Sequence, residues 1–204
     1  MLKEEIIRKA ERHLSGTDKV MDRLISEHGH CPLAMWEYRP FHTLVASIIS
    51  QQLSARAADT IESRVAEITS RPFHPNSFAA TTVEDLRAAG LSQAKARHIL
   101  ELARRVSGGE LSFATLESED DEVVVRTLIE VPGIGRWTAE MFLIFGLKRL
   151  DVLSLGDAGL QRAAKHLYGR EGDGKAVLEK VATAWRPYRS VASWYLWQHL
   201  DDKD

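Results

Sequence analysis

The segment Leu128-Ile-Glu-Val-Pro-Gly-Ile-Gly-Arg-Trp-Thr-Ala-Glu-Met141 holds the residue types best suited to gripping a phosphate. Gly133 and Gly135 alternate with Pro132 and Ile134, so the chain turns too tightly for side chains and leaves the first amides of the next helix uncovered. Amides at the positive end of a helix dipole bind a phosphate oxygen without any net positive charge. Ile134 anchors the turn in the core. A bare Gly-x-Gly is most often an ordinary helix connection, but the full order of apolar, Pro, Gly, apolar, Gly, two residues and Thr-Ala is far more specific. Further along, Gly156-Asp157 precedes Ala158-Gly-Leu-Gln-Arg-Ala, and read locally Asp157 is a helix N-cap. Five tryptophans stand in a chain with 7% aromatic residues. Trp194 and Trp197 are three apart and share a helix face, Trp137 follows the turn, and Trp185 is expected in the core.

Helices must position these groups. Apolar residues recur at helical spacing almost throughout and no series of period-two runs occurs, which predicts an all-α chain. The first helix is expected over 3–13. A second opens after Pro40, carries Phe41, Leu44, Val45, Ile48 and Ile49 on one stripe, and stops near Gln51-Gln52-Leu53-Ser54. Ser54 caps the next, whose buried face is expected to be Ala58, Ile61, Val65 and Ile68. Residues 71–77, with two prolines, read as a connector. A short helix over 82–89 follows. Ser92 then caps a longer one with Ile99, Leu102, Ala103 and Val106 inward, closed by Gly108-Gly109. The acidic run 117–122 is expected at a helix start, where the dipole favours negative charge. Helices over 124–130, 136–146, 158–168, 175–185 and 190–200 complete the series.

With 204 residues, 44% of them hydrophobic, the chain can bury one substantial core or two small cooperating ones. No run of about 18 uncharged apolar residues appears, and Met1-Leu-Lys-Glu-Glu-Ile-Ile-Arg mixes both charge signs, so a soluble intracellular protein without membrane association is expected. The single cysteine, Cys31, excludes an internal disulfide framework and a metal site of four cysteines built by this chain alone. His28 and His30 match no metal-binding spacing and are expected in an exposed loop; no catalytic metal is expected. A net charge of -2 and a pI near 6.5 argue against coating nucleic acid by bulk electrostatics. They leave room for a few phosphates held by backbone amides.

Val131-Pro-Gly-Ile-Gly-Arg-Trp-Thr-Ala, followed by Val152-Leu-Ser-Leu-Gly-Asp157, resembles the helix-hairpin-helix DNA glycosylase superfamily, and within it the 3-methyladenine DNA glycosylase II branch. Ser47-Ile-Ile-Ser-Gln-Gln-Leu-Ser54, Ala89-Gly-Leu-Ser-Gln-Ala-Lys-Ala96, Trp185-Arg-Pro-Tyr-Arg-Ser190 and Trp194-Tyr-Leu-Trp197 extend the likeness over 41–199, in the compact form without the N-terminal β domain. The resemblance implies an all-α, two-lobed fold with a cleft between a middle lobe (42–117) and a second lobe (1–41 with 118–204). The second lobe would carry the helix-hairpin-helix, about 122–146, and Asp157.

What the resemblance implies for chemistry is a monofunctional glycosylase acting on double-stranded DNA with alkylated purines, working with the chromosome and expected to be a monomer. Asp157 would be the catalytic carboxylate, stabilising positive charge on the sugar, orienting water, or both. Bifunctional relatives carry a lysine where this chain has Trp137, and an indole cannot form an imine, so no lyase activity is expected. Trp197 matches the position that stacks on the flipped base; Trp137, Met141, Trp194, Trp36 and Tyr38 are further pocket candidates. Gly133, Ile134, Gly135, Arg136, Thr138, Gln51, Gln52 and Ser54 form the expected DNA-contacting set, with Gln52 the closer match to the side chain that fills the hole left by the flipped base. No cofactor is required, although in relatives the carbonyls at Ile129, Val131 and Gly133 can hold Na⁺ or K⁺. Two other readings stand beside this one: a noncatalytic helix-hairpin-helix module that binds DNA, and a glycosylase for uracil, hypoxanthine or a mismatched base.

Overall fold

The computed structural model describes residues 4–169 and 172–201, and among them no strand occurs. The helices are α1 (Glu4–Thr17), α2 (Lys19–His28), α3 (Pro40–Ser50), α4 (Ala55–Ile68), α5 (Val83–Ala88) and α6 (Gln93–Ser107). They continue as α7 (Phe113–Ser118), α8 (Asp121–Ile129), α9 (Arg136–Met141), α10 (Ala158–Tyr168), α11 (Gly174–Val181) and α12 (Arg189–Asp201). Short 3₁₀ turns lie at Pro32–Ala34 and Pro75–Phe78, and a π turn, Phe142–Gly146, follows α9. None of the described helices is long and apolar enough to cross a membrane.

The chain divides into two compact units, Met1–Glu37 with Lys148–Asp204, and Tyr38–Leu147. Residues 118–147 therefore group with 38–117, where the sequence reading placed them in the other lobe. The reason lies in packing: α3 is buried along Phe41, Leu44, Val45, Ile48 and Ile49 and packs against α9 and the π turn as well as α4 and α6. A central apolar helix of this kind collects the hairpin around itself.

In the 38–147 unit, most helix starts are fixed by local side-chain bonds. Ser54 accepts from the Ala57 amide at 3.4 Å, Ser92 from Lys95 at 3.3 Å, and Thr82 and Asp85 form a reciprocal capping box. Phe73 sits between Phe78 and His42, with Phe41 against Phe78 in an edge contact at 5.8 Å. Ile68, expected inward, is 46% exposed, because it closes α4 beyond the reach of the core. Ile61 and Val106 are half-buried. The acidic run 117–122 spans two helices instead of opening one: Glu117 and Ser118 end α7, and Asp121 and Glu122 form the first turn of α8. The helix expected over 136–146 changes character at Phe142, where the Leu147 amide bonds to the Phe142 carbonyl at 2.9 Å, one residue wider than an α turn.

The other unit packs α1 on α2, with α12 against α1, α2 and α10, and α11 on α10. Sequence reading had no element between 13 and Pro40. Asp18 explains α2, since its Oδ1 accepts from the amides of Val20 and Met21 at 2.8 and 3.3 Å. Its Oδ2 accepts from Tyr168 Oη at 2.6 Å and Trp185 Nε1 at 2.9 Å, so one carboxylate caps α2 and ties in two distant aromatics. Trp185 is fully buried, as expected. The helix expected over 175–185 stops at Val181, and residues 182–187 continue as turns. His28 ends α2 instead of lying in a loop, and His30, which is in the loop that follows, is half-buried with its ring against Glu11 at 3.0 Å. Glu11 also accepts from the Cys31 amide at 2.9 Å, and Cys31 is buried, its thiol pushed up to about 12 by desolvation. The first predicted helix began at Lys3, which lies outside the described residues.

Candidate functional site

Within the 38–147 unit the hairpin is held from below and open above. Val131 and Ile134 are 2% and 3% exposed, and the Ile134 amide closes a turn on the Val131 carbonyl at 3.1 Å. Gly133 has φ +85°, and a Cβ there would stand 2.2 Å from His98 Nδ1, so both backbone conformation and space demand glycine. Gly135, the N-cap of α9, has an ordinary φ of -93°, and a Cβ there would meet no atom of the chain within 4 Å. The fold requires the first glycine; the second is required only if something outside the chain approaches closely. The amides of Arg136, Trp137 and Thr138 begin α9 and point along its axis.

Gln51 braces this turn. Its Nε2 donates to the Gly133 carbonyl at 3.0 Å and to Thr138 Oγ1 at 2.9 Å. Lys95 Nζ in turn donates to the carbonyls of Ile49 and Gln51 at 2.8 and 2.6 Å, closing the end of α3, and desolvation lowers its pKa. Gln51 and Thr138, expected among the DNA contacts, are thus committed to one another, and Thr138 is 1% exposed. Gln52 next to it is exposed, with a φ of +58° in the left-handed region that side-chain-bearing residues rarely adopt. Leu53, 39% exposed, adds an apolar side chain at the same turn. Ser54 spends its hydroxyl on the α4 cap. Arg136 is exposed but pairs with Glu122 at 2.6 Å and Glu140 at 3.0 Å. Trp137 is half-buried; Met141, one turn on, is only 5% exposed and Tyr38 is 44% exposed. Lys95, His98 and Leu53 were missed by the sequence reading, the first two because their roles depend on chain segments far away.

In the other unit Asp157 is the N-cap of α10. Its Oδ1 accepts from the Leu160 amide at 2.7 Å and from Trp197 Nε1 at 3.3 Å, and the residue is 8% exposed. Gly159 makes room for the pair, since a Cβ there would lie 3.0 Å from Asp157 Oδ1 and 3.7 Å from Trp197 Cδ1. The strand of loop leading to Asp157 is strapped to the start of α12. Arg189 pairs with Asp151 at 2.7 Å, the Ser190 amide bonds to Leu150 at 2.9 Å, and Ser190 Oγ accepts from Val152 at 3.0 Å. One helix therefore carries the indole and anchors the segment that carries the acid. Trp194 is 8% exposed and edge-on to Tyr195, so it is packed core. Trp36, 43% exposed, lies under Lys148 Nζ at 5.3 Å from the ring centre. Burial holds the Lys148 ammonium down at about 8.

An all-α chain with a glycine hairpin between two helices in one unit and an indole-bound carboxylate in the other has the features of a helix-hairpin-helix protein. The family model described as "HhH-GPD superfamily base excision DNA repair protein" matches residues 45–187, and the chain belongs to that superfamily. The alkylbase DNA glycosidase-like protein mag2 of Schizosaccharomyces pombe is 31% identical, over 97% of this chain and 96% of its own length. Among solved structures, the DNA-3-methyladenine glycosidase from Bacillus halodurans is 41% identical with a TM-score of 0.74, covering 91% of this chain and 86% of that one. The 3-methyladenine DNA glycosylase Mag1 of S. pombe, in complex with abasic DNA, is 31% identical with a TM-score of 0.77, covering 93% and 95%.

Proposed function

We propose that this protein is a monofunctional DNA glycosylase that removes alkylated purines of the 3-methyladenine and 7-methylguanine type from double-stranded DNA, acting as a monomer on chromosomal DNA in base excision repair. The observation that carries this reading is the bond from Trp197 Nε1 to Asp157 Oδ1, which sets an aromatic face beside an oriented carboxylate. An alkylated purine is cationic, and an indole face attracts a desolvated cation by about 2 kcal/mol. The same charge makes the base a good leaving group, so no paired general acid is needed. As the bond from C1′ to the base nitrogen breaks, positive charge grows on the sugar and the Asp157 carboxylate stabilises it. Water then adds its oxygen to C1′ and loses a proton. Trp137 stands where bifunctional relatives carry a lysine, which supports hydrolysis without strand cleavage.

The hairpin supplies strand grip, and Gln52 fills the space vacated by the base. A monovalent cation would be held by the carbonyls of Ile129, Val131 and Gly133; Val131 O accepts the Ile134 amide and Gly133 O accepts Gln51 Nε2, and a carbonyl oxygen has two lone pairs. An oxygen-only donor set suits Na⁺ or K⁺.

The test is to incubate the protein with N-methylated duplex DNA and identify the free bases by chromatography, alongside Asp157→Asn. Release of 3-methyladenine, cut by about a hundredfold or more in the variant, is expected. Binding without release would make the chain a DNA-binding module, and preferential release of uracil or hypoxanthine would overturn the cationic-base reading. Borohydride should trap no covalent adduct.

A further inference from the structure

We propose that Glu27, His28 and His199 form a binding site for one borderline divalent transition-metal ion of the Zn²⁺ class, clamping the end of α12 to the end of α2. One ligand atom from each of the three side chains lies within 4.8 Å of the other two. Tetrahedral zinc with nitrogen and oxygen ligands needs about 3.3 Å between donors, a distance that small rotations of the two rings and of the Glu27 stem can close. Two imidazoles and one carboxylate are a three-ligand zinc set, with the fourth position left to water.

Two further features favour a cation at this place. His28, His166 and His199 all stand in the last turns of their helices, α2, α10 and α12. Three helix C-terminal turns meet here, and each presents the negative end of its dipole. His199 Nε2 also lies 3.3 Å from His166 Nδ1, the rings 5.4 Å apart. This contact between the two rings would help to fix the orientation of the His199 imidazole, as second partners do in metal sites. Glu27 also lies 3.7 Å from Arg23, but both are about half exposed and such a pair holds a carboxylate only weakly. His199 follows Trp197 by two residues, so an ion here would stiffen the turn of α12 that presents the indole. The site does not depend on the glycosylase reading.

Tag-free protein stripped with chelator is titrated with Zn²⁺ by calorimetry and with Co²⁺ by visible absorbance. One ion per chain, a tetrahedral Co²⁺ spectrum displaced by Zn²⁺, and a Tm raised by Zn²⁺ are expected. His28→Ala and His199→Ala should each weaken binding by about a hundredfold or more, and His166→Ala by roughly tenfold to a hundredfold. Cys31→Ala and His74→Ala, the latter an exposed histidine elsewhere, should leave binding unchanged. Each variant is first compared with wild type by circular dichroism in chelator. If one of the histidine variants does not fold, Glu27→Gln, at an exposed position, carries the test with a loss of about tenfold or more. Absence of saturable binding, or affinity that survives His28→Ala with His199→Ala or falls with Cys31→Ala, would overturn the proposal.

Discussion

The side-chain amide of Gln51 joins the Gly133 carbonyl, 3.0 Å away, to the Thr138 hydroxyl, 2.9 Å away, so one residue at the end of α3 spans the hairpin and the first turn of α9. Glutamate at this position would set an acceptor against the Gly133 acceptor and lose both donated bonds. Gln51→Glu should destabilise the protein by about 1–3 kcal/mol in urea unfolding and weaken duplex binding by roughly tenfold, read by fluorescence anisotropy. Wild-type affinity in this variant would show that the brace does not set the geometry of the grip.

The two hairpin glycines should respond differently. Gly133→Ala meets a positive φ and the His98 ring, and should cost about 1–3 kcal/mol of stability. Adding His98→Ala should recover part of that cost, leaving the backbone strain. A bulky residue at Gly135, by contrast, should leave Tm near wild type and weaken binding to DNA. Equal loss of stability at both positions would contradict the division of roles.

Trp197 offers Asp157 a hydrogen bond and the base an aromatic face, and substitution can separate them. Trp197→Phe keeps a ring and loses the N–H that bonds the Asp157 carboxylate, which should slow excision by about tenfold or more, since a hydrogen bond to a charged group is worth about 1.5–3 kcal/mol. Trp197→Ala also loses the cation-attracting face and should slow it by a further tenfold or so. Single-turnover rates on methylated duplex measure both. If the two variants are equally slow, the contribution lies in orienting Asp157.

Lys148 makes stability depend on pH. Its folded value of about 8 lies below the ordinary 10.5, so between these limits the unfolded chain holds a proton that the folded chain has released. Stability should therefore rise with pH across that window, and below about 8 the penalty is complete. Lys148→Met should be more stable than wild type at pH 7, by up to about 3 kcal/mol, and the advantage should shrink toward pH 10.5. Urea unfolding of both proteins at pH 7 and 10 measures it. A constant difference would mean that the ammonium is not desolvated at this position.

The amino-acid sequence by itself determined whatever is decided over two to four residues. The Ser54, Ser92 and Asp157 caps, the glycine turn and α10 are readable because each depends on a bond to the next helical turn or on one residue's backbone freedom. The absence of an amine at Trp137 is equally local. Tertiary structure alone decided which neighbour does what. Gln51 and Gln52 are the same residue type, and only a partner 82 residues away makes one a brace. Gly133 and Gly135 look alike until His98 packs beneath the first. Asp157 reads as a cap until α12 brings in an indole 40 residues later. Contacts across such separations are chosen by how buried helices pack, and no periodicity along the chain records which side chains will meet.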